Sequence, residues 1–264
     1  MIIHEIKIFF TALMFYTRIP CPKWVDHREA YVNQSTRYFP LIGWIVGVIA
    51  GVVYLIFSYL INPIVGVLFS ITASILTTGA FHEDGLADVC DGFGGGWTKD
   101  KILVIMKDSR IGTYGVTGLI LIILFKVALL IQIISYFENQ LLPIVLVFIT
   151  AHALSRLTAA SFIFTHPYVR DTDDSKAKPV AKKVKLSHLL VAICFGLLPL
   201  IGSVFYFKRY ELFVVLLSMY LAKVYLGKYF TKWIGGYTGD CLGATQQISE
   251  IVFYLSFVVL WKFI

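Results

Sequence analysis

The sequence predicts an all-α fold: a polytopic integral membrane helical bundle of about seven transmembrane helices. An N-terminal helix that spans or lies in the interface precedes them. Three observations carry this. The 264 residues are 58% apolar and 15% charged, and mean hydropathy is +0.78, values typical of chains whose solvent is lipid. Apolar runs of about 20 residues, the length that crosses a hydrocarbon layer, recur along the chain. These runs leave no stretch from which a separate soluble domain could be cut, so residues 1–264 are read as one membrane domain.

Taken in order, residues 2–17 are apolar with early charges (His4, Glu5, Lys7), which suits a spanning or interfacial helix. No small-residue cleavage site follows, so a signal peptide is not expected. The run Thr17-Arg18-Ile19-Pro20-Cys21-Pro22 breaks the helix and opens a polar segment to residue 39. Spans are expected at about 40–60 and 63–81, turned at Asn62-Pro63, then at about 115–136 and 141–164. Two more follow at about 188–207 and 211–230, and a last at about 248–263.

Seven spans from residue 40 put four polar segments on one side: the N-terminal segment to 39, 82–113, 165–187 and 231–247. That side carries Arg18, Lys23, Arg28 and Arg37, then four and six basic residues in the next two loops. The positive-inside bias makes it cytoplasmic, in the cell inner membrane, with every chemically interesting loop in one compartment. The net charge of +7 therefore reports loops facing anionic membrane lipid; no nucleic-acid partner is expected. The basic run Lys176–Lys185 reads as a headgroup anchor. The cysteines, Cys21, Cys90, Cys194 and Cys241, form no C-x-x-C pair and read as reduced.

Chemistry concentrates between Gly79 and Gly115. Glu83, Asp84, Asp88 and Asp91 fall within nine residues. On a helix, Asp84, Asp88 and Asp91 (i, i+4, i+7) share a face, where like charges repel and a cation is the natural compensation. Oxygen-only ligands favour Mg²⁺ or Mn²⁺, completed by substrate phosphate. Solvated loop charges are the plain alternative, but Gly92 and Gly94 to Gly96 let backbone approach a bulky ligand. His82 adjoins the acidic run and suits a substrate hydrogen bond better than a hard ion. Lys107, Asp108, Ser109 and Arg110 follow, with Lys and Arg to clamp phosphate and Asp108 to take a proton. Arg156, beside His152 inside an apolar span, points to a polar cavity or to simple snorkelling. The loop Gly235–Ala244 adds Thr238 and Asp240, a weak signal alone.

Three motifs, F-H-E-D-G-L-A-D-x-x-D-G-F, I-M-K-D-S-R-I-G-T-Y-G and G-G-Y-T-G-D-x-L-G-A, stand in this order. Together with the early T-R-I-P and the R-Y-F-P-L-I-G from Arg37, they resemble the cobalamin synthase family over essentially the whole chain. The resemblance implies a membrane enzyme that joins adenosylcobinamide-GDP to α-ribazole, or to α-ribazole 5′-phosphate. The products are adenosylcobalamin, or its 5′-phosphate, and GMP, with Mg²⁺ as cofactor.

On that reading Glu83, Asp84, Asp88 and Asp91 are the metal candidates, with Glu83, Lys107, Asp108 and Arg110 as catalytic ones. Arg18, Arg37, His82, Gly92, Ser109, Arg156, Thr238 and Asp240 are substrate-binding candidates. A homo-oligomer is compatible with it. The alternatives are a CDP-alcohol phosphotransferase, matched by Asp88-x-x-Asp91-Gly92 but lacking the second half of that pattern, and a polytopic transporter. A transporter would place its charges at midplane in related halves, which this chain does not show.

Overall fold

The computed structural model describes residues 2–25, 28–137, 140–170 and 186–263. The expected basic run Lys176–Lys185 lies outside the described residues. In chain order the helices are α1 (Ile2–Tyr16), α2 (Glu29–Ser35), α3 (Phe39–Leu60), α4 (Pro63–Thr78) and α5 (Phe81–Gly95). Then come α6 (Lys99–Ile105), α7 (Thr113–Ser135), α8 (Leu141–Thr165), α9 (Leu186–Phe207), α10 (Val214–Ile234) and α11 (Gly239–Phe263). Among the described residues the one extended pairing is an isolated bridge between Tyr168 and Tyr237.

Among the described residues six helices are long and apolar enough to cross a membrane, or seven if the bent pair of α4 and α5 is taken as one span. The all-α membrane bundle expected from sequence is therefore the observed fold. With 15 residues, α1 reaches about 22 Å at 1.5 Å per residue, short of a straight crossing of ~30 Å. Its Glu5 accepts from Arg37 Nη1 at 3.1 Å and from Tyr38 Oη at 2.8 Å, tying α1 to the entry of α3.

The core is built around α8 and α11, the two most enclosed spans. Against α8 lies α3 along a glycine seam, Gly43, Gly47 and Gly51, spaced at i+4. A Cβ on Gly47 would sit 2.7 Å from Ile149 Cα, and one on Gly51 3.1 Å from Val145. Lipid gives no hydrophobic drive between helices, so small residues that let backbones touch do the packing.

Two expected loops are helical. Segment 82–113 folds as α5 and α6, and α11 begins at Gly239 rather than near Ile248. Glycine is a poor helix former, yet α5 uses it where neighbours crowd: Gly92 faces Met106, and a Cβ on Gly94 would sit 2.6 Å from the Tyr114 ring. The first turns of α11 read as loop because Gly239 and Gly243 belong to a glycine-rich stretch and Gln246, Gln247 and Glu250 add no apolar run beside it. These last three are buried, facing other polar groups rather than lipid.

Candidate active site

Two left-handed residues end α4: Gly79 at φ +65° and Ala80 at φ +58°. Glycine caps a helix in this conformation without strain, whereas alanine pays roughly 1–2 kcal/mol for it. The chain bends 89° here, which lays α5 across the start of α11. Gly85 and Gly243 make the crossing close. A Cβ on Gly85 would sit 2.9 Å from Asp240 O, and one on Gly243 3.1 Å from His82 O. The result is electrostatic: Asp84 and Asp88, one turn apart on α5, share a field with Asp240 of α11.

Among the described residues one cation, Arg170, offsets this acidic group. Arg170 Nη2 donates to Asp240 Oδ2 at 2.6 Å and to Met106 O at 3.2 Å, linking α11 to the end of α6. Arg170 reaches this place because Tyr237 N donates to Pro167 O and Val169 N to Tyr237 O, both at 3.0 Å. Thr238 Oγ1 donates to Asp240 Oδ2 at 3.4 Å and accepts from Cys241 N at 3.3 Å, so it also caps α11.

Beside these groups opens a cavity of about 210 Å³, lined by the rings of Phe15, Tyr16, Phe39 and Phe81 together with Asp84, Arg170 and Asp240. His82 joins its wall, stacked on Phe39 with centroids 5.7 Å apart. An apolar cavity with a few convergent charged groups is the usual form of a small-molecule site.

The other candidates divide by place. Asp91 Oδ2 accepts from Gly112 N at 2.7 Å and Oδ1 from Gly115 N at 2.8 Å, so both oxygens anchor the N-terminus of α7. Gly92 packs under Met106 within the same turn. Lys107, Ser109 and Arg110 are exposed. Asp108 is gripped by its neighbour: Arg110 Nε donates to Oδ1 at 3.0 Å and Nη2 to Oδ2 at 2.6 Å. Those bonds hold Asp108 down at about 2. Arg18 lies over Gly79 at the α4–α5 bend, while Arg37 is engaged by Glu5.

Glu83 and Arg156 belong to an interior polar chamber rather than to the cavity. There Lys126 Nζ meets Glu250 Oε1 at 3.1 Å, Gln247 Nε2 donates to Glu83 Oε1 at 3.0 Å, and Arg156 Nη1 donates to His152 O at 3.0 Å. Two cations, Lys126 and Arg156, face two carboxylates, Glu83 and Glu250, around one small hollow that His82 also lines. His82 thus stands between chamber and cavity.

Sequence reasoning passed over Arg170, Lys126 and Glu250. Lys126 had a signal, a lone charge in the middle of an apolar run. Arg170 had none, because its partner is set by a pairing of two loops.

A family model, that of cobalamin-5-phosphate synthase, matches residues 8–258. The chain belongs to the cobalamin-5-phosphate synthase family. A relative from Shewanella frigidimarina, an adenosylcobinamide-GDP ribazoletransferase, is 42% identical over 96% of this chain and 94% of its own length. Proteins with the same description from Shewanella pealeana and Shewanella oneidensis are 43% and 44% identical over 97% of this chain, covering 96% and 95% of theirs. No solved structure matches. Within this family member, two of the three quoted motifs line the cavity, on α5 and at the start of α11; the third, at the α6–α7 turn, is tied to it through the hydrogen bond from Arg170 to Met106 O.

Proposed function

We propose that the chain is an adenosylcobinamide-GDP ribazoletransferase. It joins adenosylcobinamide-GDP to α-ribazole or its 5′-phosphate, releases GMP, and works with Mg²⁺ from the cytoplasmic face of the inner membrane. Besides the family, the observation that carries the reading is one aromatic cavity lined by Asp84, Asp240 and Arg170, with Asp88 coupled to all three by charge.

The reaction breaks a pyrophosphate, and such a transfer needs mainly positioning and charge neutralisation. Among the described residues no three His, Cys, Asp or Glu side chains form a metal cage of their own. Mg²⁺ takes one or two carboxylates and fills its remaining positions with substrate phosphate and water. Asp84 and Asp88, adjacent on one helix face with oxygen donors only, are the side chains that would hold it. Bound there, the ion would neutralise the pyrophosphate oxygens.

Arg170 limits the negative potential of the acidic wall and steadies Asp240. Lys107 and Arg110, on the turn that Arg170 ties down through Met106, neutralise the departing GMP phosphate. Arg110 moving from Asp108 to that phosphate frees Asp108 to accept the ribose hydroxyl proton. The aromatic rings exclude water and hold the flat parts of the substrates. The cytoplasmic placement is supported by the basic residues of the side on which these segments gather.

The test is GMP release from adenosylcobinamide-GDP by liposome-reconstituted protein, with α-ribazole 5′-phosphate and Mg²⁺. GMP should appear only with both substrates and the metal, and vanish in Asp84→Asn/Asp88→Asn. Well-folded protein that releases none would overturn the proposal.

A further inference from the structure

A groove between α10 and the end of α8 is lined by His166, Lys223, Lys228, Thr231 and Lys232. It lies outside the acidic cavity, with which it shares no lining residue. Gly227 forms part of it, and a Cβ there would sit 2.6 Å from His166 Nε2, so the missing side chain lets the histidine lie against α10. Among the described residues no carboxylate lines this groove, and no ion pair engages its three lysines.

A lysine placed inside a spanning helix is expensive and normally serves a partner. Lys223 lies four residues, about 6 Å, deeper along α10 than Gly227. Its ammonium rests over the Phe162 ring at 5.5 Å rather than against an acid. Three cations and one hydroxyl donor around a concave surface match a phosphate group. The same helix face continues away from the loops through Leu217, Tyr220 and Leu221, exposed by 58%, 61% and 58%. A cationic groove running into an apolar track has the amphipathic form of a phospholipid: headgroup above, acyl chain below.

We propose that this groove binds the phosphate of an anionic glycerophospholipid, whose acyl chain lies along α10. The site is independent of the transferase reading. It anchors α10, and through Gly235 and the Tyr168–Tyr237 pairing it braces the loop that carries Thr238 and Asp240.

The experiment is thermal unfolding of detergent-solubilised protein titrated with phosphatidylglycerol, phosphatidylcholine, glycerol 3-phosphate or inorganic phosphate. Phosphatidylglycerol should raise the melting temperature saturably and phosphatidylcholine should not. Apparent affinity should fall about fivefold for each lysine removed in Lys223→Gln, Lys228→Gln and Lys232→Gln, the scale of one basic side chain at an anionic surface. The arginine variants at these positions should keep the response, as should Lys262→Gln at the far end of α11. Each variant's melting without lipid reports whether it is folded. An unchanged response in the triple glutamine variant overturns the proposal, as does an equal response to phosphatidylcholine or loss of the response in the arginine variants. Equal protection by inorganic phosphate or glycerol 3-phosphate overturns the lipid assignment in favour of a soluble phosphate ligand.

Discussion

Arg170 and Asp240, 70 positions apart in sequence, meet through a 2.6 Å charge-assisted hydrogen bond, a guanidinium counterweight within a field of carboxylates. Removing either partner should shift metal demand in opposite directions. Arg170→Gln leaves the wall more negative, so half-maximal activity should need less Mg²⁺, while turnover falls roughly tenfold because Asp240 loses its anchor. Asp240→Asn should need more Mg²⁺. A magnesium titration of GMP release reads both, and shifts of the same sign would refute the arrangement.

The three aspartates of the acidic motif should separate by phenotype. Asp84→Asn and Asp88→Asn should each lower turnover about a hundredfold, roughly 3 kcal/mol of lost phosphate neutralisation, with little change in melting temperature. Asp91→Ala should instead destabilise the fold by about 2 kcal/mol, because Gly112 N and Gly115 N lose their acceptor at the start of α7. Extra Mg²⁺ should not rescue it. An Asp91→Ala protein of normal stability would show that the α7 anchor contributes nothing.

The division also marks what the sequence could show. The spans were legible because lipid requires about 20 apolar residues wherever the chain crosses. The acidic stripe of Asp84 and Asp88 was legible because helical spacing alone puts i and i+4 side by side. Asp91 satisfies the same spacing, yet its oxygens face Gly112 and Gly115, which only the packing of α5 on α7 decides. The early start of α11 was hidden because burying Gln246, Gln247 and Glu250 against one another leaves no hydropathic trace. Arg170 depended on the Tyr168–Tyr237 pairing of two distant loops, which no local pattern records.

Backbone contact between α5 and α11 should tolerate no added methyl. In Gly85→Ala the new Cβ would meet Asp240 O at 2.9 Å and Asp240 Cα at 3.0 Å, both backbone atoms that cannot rotate away. The helices must separate by a few tenths of an ångström, which carries Asp84 away from Asp240. The expected outcome is a stability loss of about 1–3 kcal/mol and a tenfold or larger fall in GMP release. Gly202→Ala in α9, where nothing lies within 4 Å of the added carbon and which is outside the cavity, is the control and should leave both readouts unchanged.

The interior chamber should behave as a balanced charge set. Lys126 and Glu250 are both enclosed, with side chains 4% and 3% exposed. Glu250→Gln strands Lys126 and should destabilise the protein by about 3–5 kcal/mol. Adding Lys126→Met restores the balance, because Arg156 still faces Glu83. The double variant should therefore be more stable than Glu250→Gln alone in thermal melts. A double variant no better than the single would mean that Lys126 serves something other than this pairing.

The acid limb of the activity profile should not belong to Asp108. Hydrogen bonds from Arg110 hold it down at about 2. A depressed carboxylate is charged above its ordinary range and takes up a proton only as the pH falls through its folded value. Across pH 5 to 8, then, Asp108 stays ionised in the resting enzyme, and any loss of rate on acidification arises elsewhere. Asp108→Asn should lower the plateau of kcat by roughly a hundredfold while leaving the midpoint of the acid limb in place. Arg110→Gln removes the cause of the depression, so Asp108 returns toward the ordinary carboxylate range and binds protons more readily. That range still lies below pH 5, so in this variant too the midpoint of the acid limb should stay in place. An acid limb that disappears in Asp108→Asn alone would contradict the assignment and make Asp108 a group that titrates in the working range.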